Sequence, residues 1–210
     1  MSESAAQALS ILRDPTHFQW YIIPLLVIVI YMYNVEIGKQ NWNVVFAGVA
    51  LWGMDWFNEI WNALVFHFTQ YAPVWAAPGD TAYLILVGLN IEISLMFLMA
   101  GVGAAQVLPS DKSLKIWGIP NRFFIACVFS LIGVVVEVAL NGVNALTWDY
   151  WWWSQTNPWL IFLIGYLPFF VVAFWVHDMP TIKKKVTTIG AIYAFDITCL
   201  IIFGGILGWI

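Results

Sequence analysis

Six runs of mostly apolar residues dominate this chain, and little is left over for a soluble core. They cover roughly 18–36, 45–68, 82–107, 122–144, 158–177 and 188–209, each near the ~20 residues a helix needs to cross a bilayer. Residues 1–210 therefore read as a single integral membrane domain. The expected fold is an all-α polytopic helix bundle of about six transmembrane helices. Composition agrees: 10% of the residues are charged, where a soluble domain has about 25%. The first 18 residues show no basic region followed by an apolar run and cleavage site, so no removable signal peptide is expected. Cys127 and Cys199 both sit within apolar runs and read as small packing residues.

Orientation follows from the basic residues. Lys39, then Lys112, Lys115 and Arg122, then Lys183, Lys184 and Lys185 fall in loops on one side, and only Arg13 falls on the other. The basic side is expected to be cytoplasmic, which puts both termini outside a multi-pass protein of the cell (plasma or inner) membrane. The two long outer loops carry Phe68 to Asp80 and the aromatic run Trp148 to Ser154. Such residues form belts at the headgroup level, and they could also close a lid over an outward cavity. Pro24 and Pro168 fall within runs one and five, where proline commonly kinks a helix.

The apolar runs carry acids without basic partners: Asp55 and Glu59, Glu92, Glu137 and Asp196. A charge at the bilayer centre costs about 2.5–3.5 kcal/mol even on the lenient insertion scale, so such groups are rare and usually functional. In the second run Asp55, Asn58, Glu59 and Asn62 stand at i, i+3, i+4 and i+7, on one helix face, flanked by Trp52, Trp56 and Trp61. The fourth run repeats the pattern with Ser130, Gly133, Glu137, Asn141 and Asn144, and the last offers Tyr193, Asp196 and Cys199. In the third run Asn90 and Ser94 share a face while Glu92 points elsewhere. Asn and Ser also bond helices together, and for Asn90, Ser94 and Ser130 that structural role is expected. His17 and His177 read as interfacial. His67, two turns beyond Glu59, is a candidate gate, relay or ligand.

Several chemistries drop out. No Glu-x-x-His pair, HExxH, CxxC or P-loop pattern is present, and neither metal nor other cofactor is expected. The remaining chemistry is acid–base. An acid in an apolar pocket holds its proton, while a second acid in a more polar setting stays ionised and acts as base. The candidate catalytic residues are Glu59, Asp196 and Glu137. The candidate substrate-binding residues are Asp55, Trp56, Asn58, Trp61, Asn62, Asn141 and Tyr193. Aromatic faces would contact an apolar substrate and stabilise developing positive charge, which suits an isoprenoid, sterol or other lipid.

The stretch Asp55-Trp-Phe-Asn-Glu59, with Asp196 on the last run, resembles the small membrane-bound terpene cyclases of meroterpenoid and indole-diterpene pathways. Those proteins place an acid in an Asn-x-x-Trp-Glu context on the second span and an Asp on the last. Here Asp55 replaces the Asn, Asn58 replaces the Trp, and six spans are read instead of seven. The resemblance implies a cyclase or isomerase acting on an isoprenoid. Two other functions stay open: a proton- or cation-coupled transporter or ligand-binding protein, and a structural subunit of a membrane complex. The expected partners are the membrane and a hydrophobic small molecule or lipid, with no nucleic acid. A homo-oligomer or larger membrane complex is compatible with the sequence.

Overall fold

A computed structural model describes residues 1–210, except the side chain of His17, so the interfacial placement expected for His17 lies outside the described residues. Seven α-helices and two small hairpins follow in chain order. Helix α1 spans Glu3–Ile11, α2 Ile22–Gly38 and α3 Trp42–Thr69. Strands β1 (Leu84–Leu86) and β2 (Leu89–Asn90) precede α4 (Ile91–Gln106). Strands β3 (Lys115–Ile116) and β4 (Ile119–Pro120) precede α5 (Asn121–Gly142). A π-helical segment, Ile161–Tyr166, runs into α6 (Leu167–Asp178), and α7 (Ile182–Cys199) runs into a second, Leu200–Ile206.

Three helical stretches are long and apolar enough to cross a membrane: Asn121–Gly142, Ile161–Asp178 and Ile182–Ile206. Ile22–Gly38 and Ile91–Gln106 are shorter apolar helices. Helix α3 has 28 residues, about 42 Å at 1.5 Å per residue, and is the axis of the bundle, with α2, α4, α6 and α7 packed against it. It meets α4 where both are stripped to glycine: a Cβ on Gly101 would stand 2.7 Å from the Gly48 Cα. Small residues at a crossing let backbones approach, which is how membrane helices gain packing without a hydrophobic driving force between them.

The third apolar run does not form one span from residue 82. Its first part is the β1–β2 hairpin, whose Leu84, Leu86 and Leu89 are buried, Leu84 in one apolar cluster with Ala8 of α1. The helix begins only at Ile91, where the Asn90 side chain caps it by accepting from the Ile93 N–H at 2.8 Å. Glu92 thus lies in the first turn of α4, not mid-span. Its carboxylate accepts from the Thr81 hydroxyl (2.8 Å), the Ala82 N–H (2.6 Å) and the Tyr21 hydroxyl. It fastens the loop before β1 to the bundle and is not a partnerless acid in mid-span.

The last run also begins elsewhere than expected. Lys183, Lys184 and Lys185 are in the first turn of α7, after the Thr181 cap. Lys185 is buried and its Nζ donates to the Val176 (2.6 Å) and His177 carbonyls. These carbonyls belong to the last turn of α6, where Val176 also accepts from the Met179 N–H at 3.2 Å, and a lysine there stabilises the terminus.

At the end of the bundle away from the basic residues, α1 lies on the loops: Ala5 and Ala8 are fully buried, and Ala8 belongs to one apolar cluster with Ala63, Ala76 and Leu84. Ser2 and Ser4 both donate to the Asp149 carboxylate of the second outer loop. At the opposite end Lys39, Lys112 and Arg122, with Glu36 and Asp178, line an open vestibule of about 970 Å³. There Arg122 holds Asp178 through two bonds, Nε–Oδ2 at 2.9 Å and Nη2–Oδ1 at 3.1 Å.

A carboxylate cavity sealed by tryptophan

The polar face of α3 turns inward as its spacing requires: Asp55, Asn58, Glu59 and Asn62 are all buried, Asn62 completely. Asp55, Asn58 and Glu59 open on a cavity of about 40 Å³ between α3, α4, α5 and the first π segment, and Glu137 of α5 faces them. A water needs about 10–15 Å³ of such space, so the cavity takes a few waters or the tip of a larger molecule.

The aromatic outer loops form its roof. Trp75 and Trp153 are buried and stacked, ring centres 5.3 Å apart. The Trp75 indole N–H donates to Glu59 Oε1 at 2.8 Å. Glu137 Oε1 accepts from Trp153 (3.2 Å) and Trp148 (3.0 Å), and Tyr166 is a further partner. Each acid is therefore held by neutral donors, and the two donor rings lie against each other. Trp75 and Trp153 are buried and close a lid over the cavity, while Trp151 of the same loop is largely exposed.

Asn62 positions that lid. Its Oδ1 accepts from the Val74 and Trp75 N–H groups (2.7 and 3.2 Å), and its Nδ2 donates to the Trp75 carbonyl at 2.8 Å. Asn58 does comparable work on the other wall. Pro168 has no N–H to offer the Ile164 carbonyl four residues earlier. Asn58 Nδ2 supplies one at 3.3 Å. The π segment ending at Tyr166 lies directly before this break, and such segments mark functional sites frequently.

Asp55 lies within electrostatic reach of Glu59 and Asp196, and Glu59 within reach of Glu137. Four acids thus form a series from α7 through α3 to α5. Asp196 is buried but stands outside the cavity, behind Asp55. Asp55 Oδ2, Glu59 Oε2 and both Asp196 oxygens are buried without a hydrogen-bond partner. Such orphans are costly, and in a native structure they call for a role. Among the described residues no three His, Cys, Asp or Glu side chains converge closely enough to hold a metal ion.

Several expected substrate contacts are placed elsewhere. Tyr193 donates to the Val49 carbonyl at 2.9 Å and packs on Trp52, joining α7 to α3. Trp61 supports Trp75 from behind at 6.1 Å. Trp56 packs edge-on to Trp52, its N–H buried without a partner. Asn141 Nδ2 donates to the Leu146 carbonyl at 3.1 Å, closing the turn after α5. The fourth-run stripe is therefore not a polar face: Ser130 bonds back to its own helix at the Ala126 carbonyl, and only Glu137 reaches the cavity. His67 stacks on Trp209 at 4.6 Å and His177 bonds Asp178, both away from the cavity. Trp75 and Trp153 belong to the loops expected as a lid but not to the expected site residues, and Tyr166 was not expected at the site at all. Only the proline-flanked setting of Trp75 and the Gly-Tyr-Leu-Pro context of Tyr166 hinted that these aromatics differ from belt residues.

A family model described as an uncharacterized membrane protein family matches residues 2–205. The chain belongs to that family. An Archaeoglobus fulgidus protein, itself described as uncharacterized, is 59% identical over 209 residues, covering 100% of this chain and 99% of its own. A second uncharacterized protein of that organism is 62% identical over 53 residues, 25% of this chain and 95% of its own. No solved structure matches. The protein is a membrane protein, as its composition required.

Proposed function

We propose that this membrane protein is an intramembrane acid–base enzyme acting on a hydrophobic substrate, an isoprenoid or sterol-like lipid with a carbon–carbon double bond. The observation that carries the reading is the pair of orphaned buried carboxyl oxygens, Asp55 Oδ2 and Glu59 Oε2, on residues lining one cavity. The resemblance to small membrane-bound terpene cyclases supports the same chemistry. Glu59, oriented by Trp75, gives a proton to an alkene carbon. Glu137 or Asp55 takes a different proton from the resulting cation, so the net change is an isomerisation or ring closure that consumes no co-reactant. Trp75, Trp153 and Tyr166 present faces to the cation. Asp196, behind Asp55, restores the proton rather than meeting substrate. The six-crossing topology, with both termini outside the cell membrane, goes with this reading, and the basic vestibule at one end supports it.

The test is incubation of the protein, reconstituted in lipid nanodiscs, with prenyl alkenes in D2O. Deuterium should enter the alkene, Glu59→Gln should abolish the exchange, and Asp196→Asn should slow it less. Exchange unchanged by Glu59→Gln, or none with any prenyl alkene, refutes the reading. One observation favours proton-coupled transport instead: the cavity is sized for waters. That reading gains if Glu59 is needed for proton uptake into vesicles that hold no alkene.

A further inference from the structure

A second cavity, a groove of about 200 Å³, lies between α4 and α5, both of which rest on α6. Its lining is almost wholly apolar: Met96, Phe97 and Ala100 on one side, Ile132 and Val136 on the other, with Tyr166 at its inner end. Four of these residues, Met96, Phe97, Val136 and Tyr166, also line the carboxylate cavity. The partition between the two spaces is thus one layer of side chains, in which Phe97 and Tyr166 stack at 6.1 Å. Gly133 makes room for that layer, since a Cβ there would stand 2.5 Å from the Tyr166 ring. Tyr166 itself ends the π segment, and it is a partner of Glu137 on the cavity side.

Depth decides what occupies the groove. The α5 residues concerned, 129–136, are the middle third of the apolar span Asn121–Gly142, and Ile132 is half exposed. The mouth therefore opens on the hydrocarbon centre of the bilayer, where there is neither water nor headgroup. We infer that the groove binds a single hydrocarbon chain entering sideways from the bilayer, distal end first, and delivers that end past Tyr166 to the carboxylate cavity. A lipid whose polar group stays at the surface has only its far end at this level. The substrate class that follows is a long chain with unsaturation near its distal end. The choice of end rests on the acid–base reading of the cavity; the seat for the chain does not.

The test uses two phosphatidylcholines in nanodiscs holding the full chain, one with a diazirine at the distal chain end and one with it beside the ester. After illumination the labelled residues are mapped by mass spectrometry. Phe195 and Ile197 of α7, about as exposed as Ile132 at 54% and 53%, report ordinary lipid contact. The distal-end probe should label Met96, Ala100 and Ile132 about tenfold more than these two. Ala100→Trp, which fills the groove from α4, should bring the ratio to about one, and Ala100→Leu should lower it part-way if the larger side chain prevents folding. The ester-side probe should show no preference. Equal labelling of groove and α7 by the distal-end probe overturns the proposal, as does a preference for the ester-side probe. Glu59→Gln should leave the labelling pattern unchanged. Loss of alkene exchange in that variant with the pattern kept bears on the acid–base reading alone. An even pattern with exchange still dependent on Glu59 removes the groove and leaves the acid–base reading standing.

Discussion

Replacing Asn62 by Ala should unseat the lid over the acids. The side chain is completely buried and makes three hydrogen bonds to the backbone of Val74 and Trp75, at 2.7, 3.2 and 2.8 Å. Each intramolecular bond contributes about 1 kcal/mol net, and each buried partner left unsatisfied costs about 1–3 kcal/mol. Two N–H groups and a carbonyl would be stranded, so the expected loss is at least about 3 kcal/mol. In a chain of this size that lowers the midpoint of thermal unfolding by about 6–12 °C. Asn141→Ala is the matched control, because Asn141 makes one bond, to the Leu146 carbonyl at 3.1 Å, from a half-buried position. It should cost about 1 kcal/mol. Unfolding in nanodiscs gives both numbers, and limited proteolysis of residues 70–83 reports the lid directly. If Asn62→Ala costs no more than Asn141→Ala and cleavage in 70–83 does not rise, Asn62 does not hold the lid.

Asn58→Ala should destabilise the protein by about 1–2 kcal/mol while Pro168 is present, and by clearly less in a Pro168→Ala background, where position 168 has an N–H to offer the Ile164 carbonyl; a double-mutant cycle measures the difference. Arg122→Lys should cost about 1–2 kcal/mol in unfolding measurements, because a lysine cannot form both bonds that the guanidinium makes to Asp178. Gly133→Ala should cost about 1–3 kcal/mol, since the new methyl meets the Tyr166 ring at 2.5 Å, and an unchanged melting temperature would show that the ring moves freely.

How far the sequence reveals this molecule depends on which interactions are periodic. The face of α3 was legible because Asp55, Asn58, Glu59 and Asn62 recur at helical spacing, and no bilayer could accept that face. The same reasoning overreached on α5: Asn141 and Asn144 keep the spacing, but the helix ends at Gly142 and turns on those residues. Hydropathy placed the third span too early because it cannot tell lipid from a protein cover. The β1–β2 hairpin is as apolar as a span and is buried under α1 instead. Lys185 was hidden for the opposite reason, because a cation reads as loop until the carbonyls it caps are known. The partners of the acids could not be read at all. Trp75 and Trp153 stand 16 residues from Glu59 and Glu137 respectively, in loops whose return into the bundle has no local signature.

Those partners explain how a membrane interior tolerates acids with no counter-ion. A lysine or arginine beside Glu59 would have balanced its charge and tied it in an ion pair, leaving it poorly able to exchange a proton. Indole N–H groups give one strong bond each without charge. They leave Glu59 Oε2 free of any partner, and their rings line the cavity. Trp75 and Trp153 also link the two acids by direct contact, since the ring that donates to Glu59 is stacked on the ring that donates to Glu137. For packing alone, Gln at positions 59 and 137 could accept from the same indoles without the cost of burying an acid. Removing the donor while keeping the ring bulk separates the two roles. A packing site should tolerate that loss without functional change, whereas an acid–base site should lose exchange while keeping its fold.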